Sequence, residues 1–234
     1  MFYIDTMQAA FAFAQADIVH WYARMGPVAT PRRRRSPAGQ LVKSIISART
    51  RDAVSTAAYD RLVGSYGGPA ALARATPAAV ARTIGDVTFA DIKAEHLVAA
   101  LRRIAVTDDG FALGHLADLP LGDALAWLER LPGVARKVSA STLNASTLRR
   151  PVMIVDTHVL RILQRLGFVP ANADYRAASD AVTEAMPDWT GDDFLGFHIA
   201  LKHLGQTACR WDIPDCAACP LAADCPVGRR RAGG

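Results

Sequence analysis

The sequence predicts an all-α protein built from many short helices. Apolar residues recur at helical spacing along most of the 234-residue chain, and the breaks between these segments carry Gly, Pro or Asp. Only PVMIVD at 151–156 resembles a strand, and it is short enough to be an extended connection. Hydrophobic residues make up 51% of the chain and charged residues 21%, which indicates a folded globular protein and excludes a disordered one.

The first predicted helix covers residues 6–24, where Ile18 and Trp21 fall on one apolar face. A proline-containing linker follows it and includes four consecutive arginines, Arg32–Arg35. We expect this basic run to be solvated and to attract anions without specificity.

The next helix begins at a clear start signal. Ser36 and Pro37 indicate an N-cap followed by proline in the first helical position, and the apolar stretch LVKSIISA that follows should be buried. Further helices are predicted at 52–65, 76–84, 91–105, 120–130, 135–146, 157–166, 174–186 and 192–207.

The charge balance and the termini narrow the functional classes. The formal net charge is +5, which suits an anionic partner such as nucleic acid but does not establish one. No apolar run is long enough to span a bilayer. The N-terminal stretch MFYIDTMQAAF has no early Lys or Arg, so it does not resemble a secretory signal. We therefore expect a cytoplasmic protein, in which thiols stay reduced.

All the cysteines of the chain lie in one stretch near its end, at Cys209, Cys216, Cys219 and Cys225. A reduced compartment argues against disulfides. Four thiolates suit a structural zinc ion, but zinc ribbons usually carry two Cys-x2-Cys pairs and this loop has one. The spacing x6, x2, x5 in one compact loop favours an iron–sulfur cluster, with zinc as the alternative.

A second informative stretch is LERLPGVARKVSASTLN, where Leu131 to Val134 form a predicted tight turn between two helices. Gly133 allows a positive φ or a close approach to a partner. The helix that begins near Ala135 points its amides and the positive end of its dipole out of the turn, which makes an anion site suited to a DNA phosphate. The alternative is an ordinary corner between two helices.

Two titratable residues follow this turn. Lys137 lies in the first turn of the new helix, where it is either a surface charge or, if its pKa is lowered, a nucleophile at neutral pH. Asp156 ends an apolar run and precedes a helix, so it can be an N-cap. A carboxylate beside a lysine could instead stabilise a cationic transition state or move protons.

Taken in order, LPGVARK, VDTHVLR and the cysteine loop resemble the endonuclease III branch of the helix-hairpin-helix DNA glycosylases. The segments SIISARTRD and TIGDVTFADIKAEHL resemble helices of the same family, so the likeness extends over about residues 37–226. It implies a two-domain all-α fold with the DNA groove between the domains. The six-helix domain with the helix-hairpin-helix motif would cover 31–149, and the iron–sulfur domain 1–30 plus 150–234.

The resemblance also implies an activity. The chain would be a monomeric base-excision-repair DNA glycosylase with associated AP lyase activity, acting on damaged bases in double-stranded DNA. Lys137 matches the family's catalytic lysine, Asp156 its catalytic aspartate, and His158 a histidine beside the base pocket. Lys137 would attack C1′ of an extruded nucleotide and leave a Schiff base, which then breaks the strand by β-elimination. The four cysteines would hold a 4Fe–4S cluster that shapes a basic loop.

The residues expected to contact DNA fall into three groups. The hairpin would bind phosphate, exposed side chains would fill the gap left by the extruded base, and the cluster loop would add a basic contact. These residues are, in that order, Leu131, Gly133, Val134, Ala135 and Arg136; Arg49, Val87, Thr88 and Phe89; and Arg210, with the basic run Arg229–Arg231 after it. Phe89 could equally belong to the core.

Three departures bear on specificity. Ala135 stands where the family usually has a second glycine, Arg49 stands where it often has glutamine, and the loop 86–92 is longer than in typical relatives. The family's preference for oxidised pyrimidines therefore carries over only in part. Two alternatives are a mismatch-specific monofunctional glycosylase and a noncatalytic DNA-binding iron–sulfur protein. Lys137 argues against the first alternative, and the presence of both Lys137 and Asp156 argues against the second.

Overall fold

The computed structural model describes residues 15–232. Within this range the chain is helical and contains no strand apart from an isolated bridge between Arg35 and Ser146, so the predicted all-α class is confirmed. The predicted helix at 6–24 is described from Gln15, and its first part lies outside the described residues. None of the described helices is both long enough and apolar enough to cross a membrane.

We number the described α-helices in chain order. They are α1 Gln15–Met25, α2 Pro37–Ser47, α3 Asp52–Tyr66, α4 Pro69–Arg74, α5 Pro77–Thr83, α6 Ala90–Ala105, α7 Leu121–Glu129, α8 Arg136–Asn144, α9 Thr157–Leu166, α10 Tyr175–Ala185, α11 Gly191–Thr207 and α12 Pro226–Ala232. Two short 3-10 helices, Gly110–Ala112 and Gly114–Ala117, lie between α6 and α7. The sequence analysis missed these two and the short helices α4 and α12.

The chain divides into two compact units, one of which is Arg32–Arg150. In this unit α2 is central and packs against α3, α6 and α8. Its start follows the predicted signal, because the Ser36 hydroxyl accepts a hydrogen bond of 3.2 Å from the amide of Gly39 and Pro37 occupies the first turn. The buried Gln40 side chain donates to the hydroxyl of Ser141 at 3.0 Å, which fixes α2 against α8.

The second half of the arginine run belongs to this core. Arg34 donates to the backbone oxygen of Asn144 at 2.7 Å, and the guanidinium of Arg35 lies 4.7 Å from the centre of the Tyr59 ring. The backbone oxygen of Arg35 also accepts from the amide of Thr147. The expectation of a solvated run is therefore wrong for Arg34 and Arg35, because both are anchored by tertiary contacts.

The other unit combines the described residues up to Pro31 with those from Pro151 onward. In it α11 packs against α1 and α9, and α12 packs against α9. Aromatic edge contacts fill the core, with ring centres 5.6 Å apart for Tyr22 and Phe197 and 5.3 Å apart for Trp189 and Phe194. The segment 151–156 is an irregular, mostly buried connection that ends directly before α9.

Candidate active site

The turn between α7 and α8 has the predicted tight geometry. The amide of Val134 donates to the backbone oxygen of Leu131 at 3.2 Å, and both side chains are buried, so only their backbone can face a ligand. Gly133 has a φ of +73°, and a Cβ at this position would lie 2.7 Å from the Cβ of His96. Glycine is therefore required here both by the backbone conformation and by the close approach of α6.

We expect Gly133→Ala to lower the free energy of unfolding by about 1–3 kcal/mol, because the methyl group meets both a positive φ and the His96 side chain. Urea titration measures the change. A matched control is Gly122→Ala in α7, where nothing lies within 4 Å of the added methyl and where alanine should be neutral or stabilising. Equal stability of the two variants would contradict this account of the hairpin.

The first residues of α8 differ in what they can offer a ligand. Ala135 is the N-cap with an extended backbone, φ −105°, so alanine is accommodated at this position without strain. Its methyl group makes no capping hydrogen bond. Arg136 is 7% exposed and donates to a Glu129 carboxylate oxygen at 2.7 Å, and Ser139 donates to the same oxygen at 2.9 Å. The Arg136 side chain is therefore occupied within the unit, and the predicted contact of Arg136 with DNA stays a prediction that only its backbone could fulfil.

Lys137 is half-buried in the first turn of α8, as predicted. A second lysine, which the sequence analysis missed, lies near it. Lys93 on α6 is 7% exposed, and burial together with the like charge of Lys137 lowers the pKa of Lys93 to about 8. Two amines therefore share this part of the unit. In the sequence, Lys93 resembles any polar residue of an amphipathic helix, and only its burial distinguishes it.

This depressed pKa predicts a pH-dependent stability. Between pH 8 and 10.5 the unfolded chain still holds the Lys93 proton that the folded chain has released, so stability rises with pH in that window. Relative to Lys93→Met, we expect the free energy of unfolding of the wild type to increase there by on the order of 1–3 kcal/mol. Urea titrations of both proteins from neutral pH upward test this, and a difference that is constant with pH would contradict it.

Of the residues predicted to fill the gap in DNA, three are accessible. Arg49 and Thr88 are exposed, and Phe89 is 56% exposed although it is apolar. Arg49 and Phe89 also have positive φ values of 53° and 59°. Val87 is 3% exposed and belongs to the core, so its predicted role at the DNA is wrong.

Asp156 lies in the other unit and is the N-cap of α9. One of its carboxylate oxygens accepts from the amides of His158 at 2.9 Å and Val159 at 3.0 Å. Burial opposes ionisation, but His198, the Val159 amide, Lys202 and His158 outweigh it, so the pKa of Asp156 lies below its usual value. The carboxylate is therefore charged at neutral pH. The sequence analysis missed His198 and Lys202, which lie one turn apart on α11.

His158 is half-buried next to α11. A Cβ on Gly205 would lie 2.6 Å from the Cβ of His158, so this glycine lets the histidine approach the helix closely. The ring nitrogen Nδ1 of His158 lies 3.3 Å from a guanidinium nitrogen of Arg161. The placement of His158 beside a base pocket stays a prediction.

Two arginines of α9 hold the cysteine loop. Arg161 is 7% exposed and donates to the backbone oxygens of Gly205 at 2.9 Å and Cys209 at 2.7 Å. Arg165 donates to the sulfur of Cys209 at 3.2 Å and to the backbone oxygen of Arg210 at 2.7 Å. The beginning of the loop is therefore fixed to the helix that Asp156 caps.

The four cysteines are free thiols. Burial raises the pKa of Cys219, and the charges of Cys209, Cys225 and Cys216 raise it further, so the other three sulfurs lie near that of Cys219. Among residues 15–232, no three His, Cys, Asp or Glu side chains are close enough to hold one metal ion. A four-iron cluster separates its thiolates more widely than a single ion does, and this all-sulfur set fits such a cluster.

The surface of the cysteine loop is basic and partly apolar. Arg210 is exposed, as are Arg229–Arg231 in the last turn of α12. Trp211 and Ile213 are 78% and 65% exposed. The predicted contact of Arg210 with DNA agrees with its exposure and stays a prediction.

Comparison with known proteins decides the family. The HhH-GPD superfamily of base excision DNA repair proteins matches residues 42–188, which include the hairpin, Lys137 and Asp156. The chain belongs to this superfamily. Endonuclease III of Thermotoga maritima is 31% identical over 195 residues, which are 83% of this chain and 84% of that protein. Endonuclease III of a Synechocystis species is 30% identical over 82% of this chain and 81% of its own length.

Solved structures of this superfamily have the same fold. The superposition on endonuclease III from a non-covalent complex with DNA covers 94% of this chain and 97% of that protein, with a TM-score of 0.76 at 21% identity. The superposition on a thermostable thymine-DNA glycosylase covers 92% of this chain and 96% of that protein, with a TM-score of 0.73 at 18% identity. The resemblance to endonuclease III stated from the sequence is confirmed. The chain is an endonuclease III-like base excision repair enzyme, a DNA glycosylase with AP lyase activity.

Proposed function

We propose that Lys137 is the nucleophile of this enzyme and that Asp156 is its catalytic carboxylate. The single observation that carries the proposal is the setting of Lys137. It is a half-buried amine in the first turn after the hairpin, close enough to a second lysine to lower the pKa of Lys93. A primary amine placed directly after a turn that can bind a phosphate is a group able to attack C1′ of a nucleotide held there.

The reaction follows from these groups. The Lys137 amine forms a bond to C1′ as the bond from C1′ to the base breaks, and the base leaves with a proton. The nitrogen then becomes a Schiff base through opening of the sugar. Loss of a C2′ proton expels the 3′ phosphate, and water releases the lysine. Asp156, ionised at neutral pH, stabilises the positive charge that develops on the sugar.

The hairpin supplies the DNA contact that fixes the register. Gly133 and the uncapped start of α8 at Ala135 offer backbone amides and the positive end of a helix dipole to a phosphate. The proposed substrates are damaged bases and abasic sites in double-stranded DNA, bound by a monomer. The expected location in the cytoplasm accompanies this function, and we propose association with the nucleoid because the substrate is DNA.

We also propose that Cys209, Cys216, Cys219 and Cys225 hold a 4Fe–4S cluster. When bound, the cluster supplies a covalent staple for the loop that presents Arg210. Quantification of iron and acid-labile sulfide in the purified protein tests this assignment. We expect four of each per chain and a brown colour, whereas a colourless protein that contains zinc would contradict it.

Borohydride trapping tests the enzymatic proposal. The wild type is incubated with a duplex that contains one abasic site, and borohydride reduces any Schiff base to a stable adduct. A duplex with a tetrahydrofuran analogue, which has no aldehyde, is the matched control and should give no adduct. A wild type that cleaves neither the abasic-site duplex nor any lesion-bearing duplex of a panel would favour the noncatalytic alternative. Base release without an adduct would favour the monofunctional one.

A further inference from the structure

Arg49 stands in a strained turn. The amide of Thr50 donates to the backbone oxygen of Ser47 at 3.1 Å, and Ala48 has φ −57° and ψ 125°. With its φ of +53°, Arg49 takes the third position of a type II turn, which normally holds glycine. A non-glycine residue in this conformation is strained, and the conformation persists only where neighbouring contacts impose it.

Lys93 makes the contacts that impose this turn. Its ammonium donates to the backbone oxygen of Ile46 at 3.1 Å, to that of Ala48, and to the hydroxyl of Thr50 at 3.0 Å. All three donors of the ammonium group are therefore directed at the end of α2 and at the turn itself. Because Lys93 is 7% exposed, water cannot readily replace these hydrogen bonds.

The same residue is tied to Phe89. Phe89 is the N-cap of α6, with φ 59° and ψ 43°, and its backbone oxygen accepts from the amide of Lys93 at 3.0 Å. The Phe89 ring is 56% exposed, which is unusual for an aromatic side chain with no polar group. Lys93 thus bonds through its side chain to the turn of Arg49 and through its backbone to Phe89.

We propose that Lys93 is a positioning residue whose side chain holds Arg49 in the arrangement in which it enters the DNA helix beside Phe89, and thereby sets which base is preferred opposite the lesion. The proposal rests on the function proposed above. An arginine that reaches base edges favours guanine, with which it forms two hydrogen bonds. We call the hydrogen bonds from the Lys93 ammonium to the turn of Arg49 the clamp. Because Lys93 lies near Lys137, the clamp lies beside the proposed nucleophile.

Loss of the clamp should release the turn rather than remove the arginine. In Lys93→Met, Arg49 can leave its strained conformation, and its side chain loses the fixed direction that discriminates between bases. One bidentate contact with a base is worth about 1–3 kcal/mol, and we therefore expect a roughly tenfold preference for guanine in the wild type. That preference should fall to about twofold or less in Lys93→Met and in Arg49→Ala.

The experiment measures dissociation constants for duplexes that contain the tetrahydrofuran analogue opposite each of the four bases. The proteins are the wild type, Lys93→Met, Arg49→Ala and the double variant. If Lys93 acts through Arg49, the double variant discriminates no less than Arg49→Ala alone. The matched control is Arg102→Met, which removes another α6 side chain bonded to backbone oxygens, those of Ala73 and Ala75. This control should keep the preference for guanine even where its stability falls.

A gentler variant guards against misfolding of Lys93→Met. Thr50→Val removes one acceptor of the Lys93 ammonium and leaves the lysine in place, and it should weaken the preference for guanine partially. A wild type without any preference, or folded variants of Lys93 and Thr50 that keep the wild-type ratio, would overturn the clamp. In both cases, a borohydride-trapped adduct of the wild type at abasic sites would leave the proposed enzymatic function intact. The absence of that adduct would contradict the enzymatic function itself.

Discussion

Replacing Lys137 with glutamine is expected to abolish the borohydride-trapped adduct and to lower strand cleavage at abasic sites by about 10³-fold or more. The reason is chemical, because an amide nitrogen cannot attack C1′ or form an imine. Glutamine keeps most of the length of lysine, so the first turn of α8 should stay intact. Gel separation of the adduct and of the cleaved strand measures both effects.

The lysine content of the chain makes this test specific. The sequence holds only four lysines, at 43, 93, 137 and 202, so peptide mapping of the wild-type adduct has few candidates to separate. Lys43→Gln is the matched control, because the Lys43 ammonium bonds to the hydroxyls of Ser47 and Ser55 in the same unit. It should trap DNA as the wild type does. An adduct that persists in Lys137→Gln and maps to another lysine would remove Lys137 from the role of nucleophile.

The sequence predicted those parts of the fold that depend on local rules. The capping of α2 by Ser36, the first-turn Pro37 and the capping of α9 by Asp156 follow from residue types next to an apolar helix. Gly133 in the hairpin belongs to the same class, because a positive φ is a local requirement. Such features are readable without knowledge of any distant contact.

The side chains whose surroundings the sequence did not reveal depend on tertiary partners. Arg34 and Arg136 resemble surface cations in the sequence, yet Asn144 binds the first and Glu129 the second. Val87 lies only two residues from the exposed Phe89 but belongs to the core, and periodicity does not resolve such a short irregular segment. These side chains could not be assigned from composition or spacing, because the partner that buries each of them lies elsewhere in the chain.

The residues near the candidate site that the sequence analysis missed also depend on contacts with distant parts of the chain. Lys93 acquires its lowered pKa from burial and from Lys137, which is 44 positions away in the sequence. His198 and Lys202 affect Asp156 from a helix that begins 35 positions after it. A lysine or histidine within an amphipathic helix gives no sequence signal for such a role. Lys137 and Asp156 were predicted from motifs, whereas the charged residues that lie near them could be found only from the structure.

Replacing Asp156 with asparagine separates the two roles of this residue. Asparagine caps a helix about as well as aspartate, so the hydrogen bonds to the amides of His158 and Val159 should survive and stability should change by less than about 1 kcal/mol at neutral pH. Base excision should nevertheless fall by about 10²–10³-fold, because the negative charge that stabilises the cationic sugar is lost. Single-turnover excision rates and urea titrations of the same preparations measure the two effects.

The matched control for this variant is Asp174→Asn, since Asp174 caps α10 in the same unit and accepts from the amide of Ala177 at 2.8 Å. It should leave the excision rate unchanged. The lowered pKa of Asp156 adds a second test: stabilisation by its charge is present above the pKa of an unfolded aspartate and is lost as pH falls through the lower folded value. The stability of the wild type relative to Asp156→Asn should therefore fall only at acidic pH. If Asp156→Asn excises bases at the wild-type rate, the Asp156 carboxylate serves only as the N-cap of α9 and has no catalytic role.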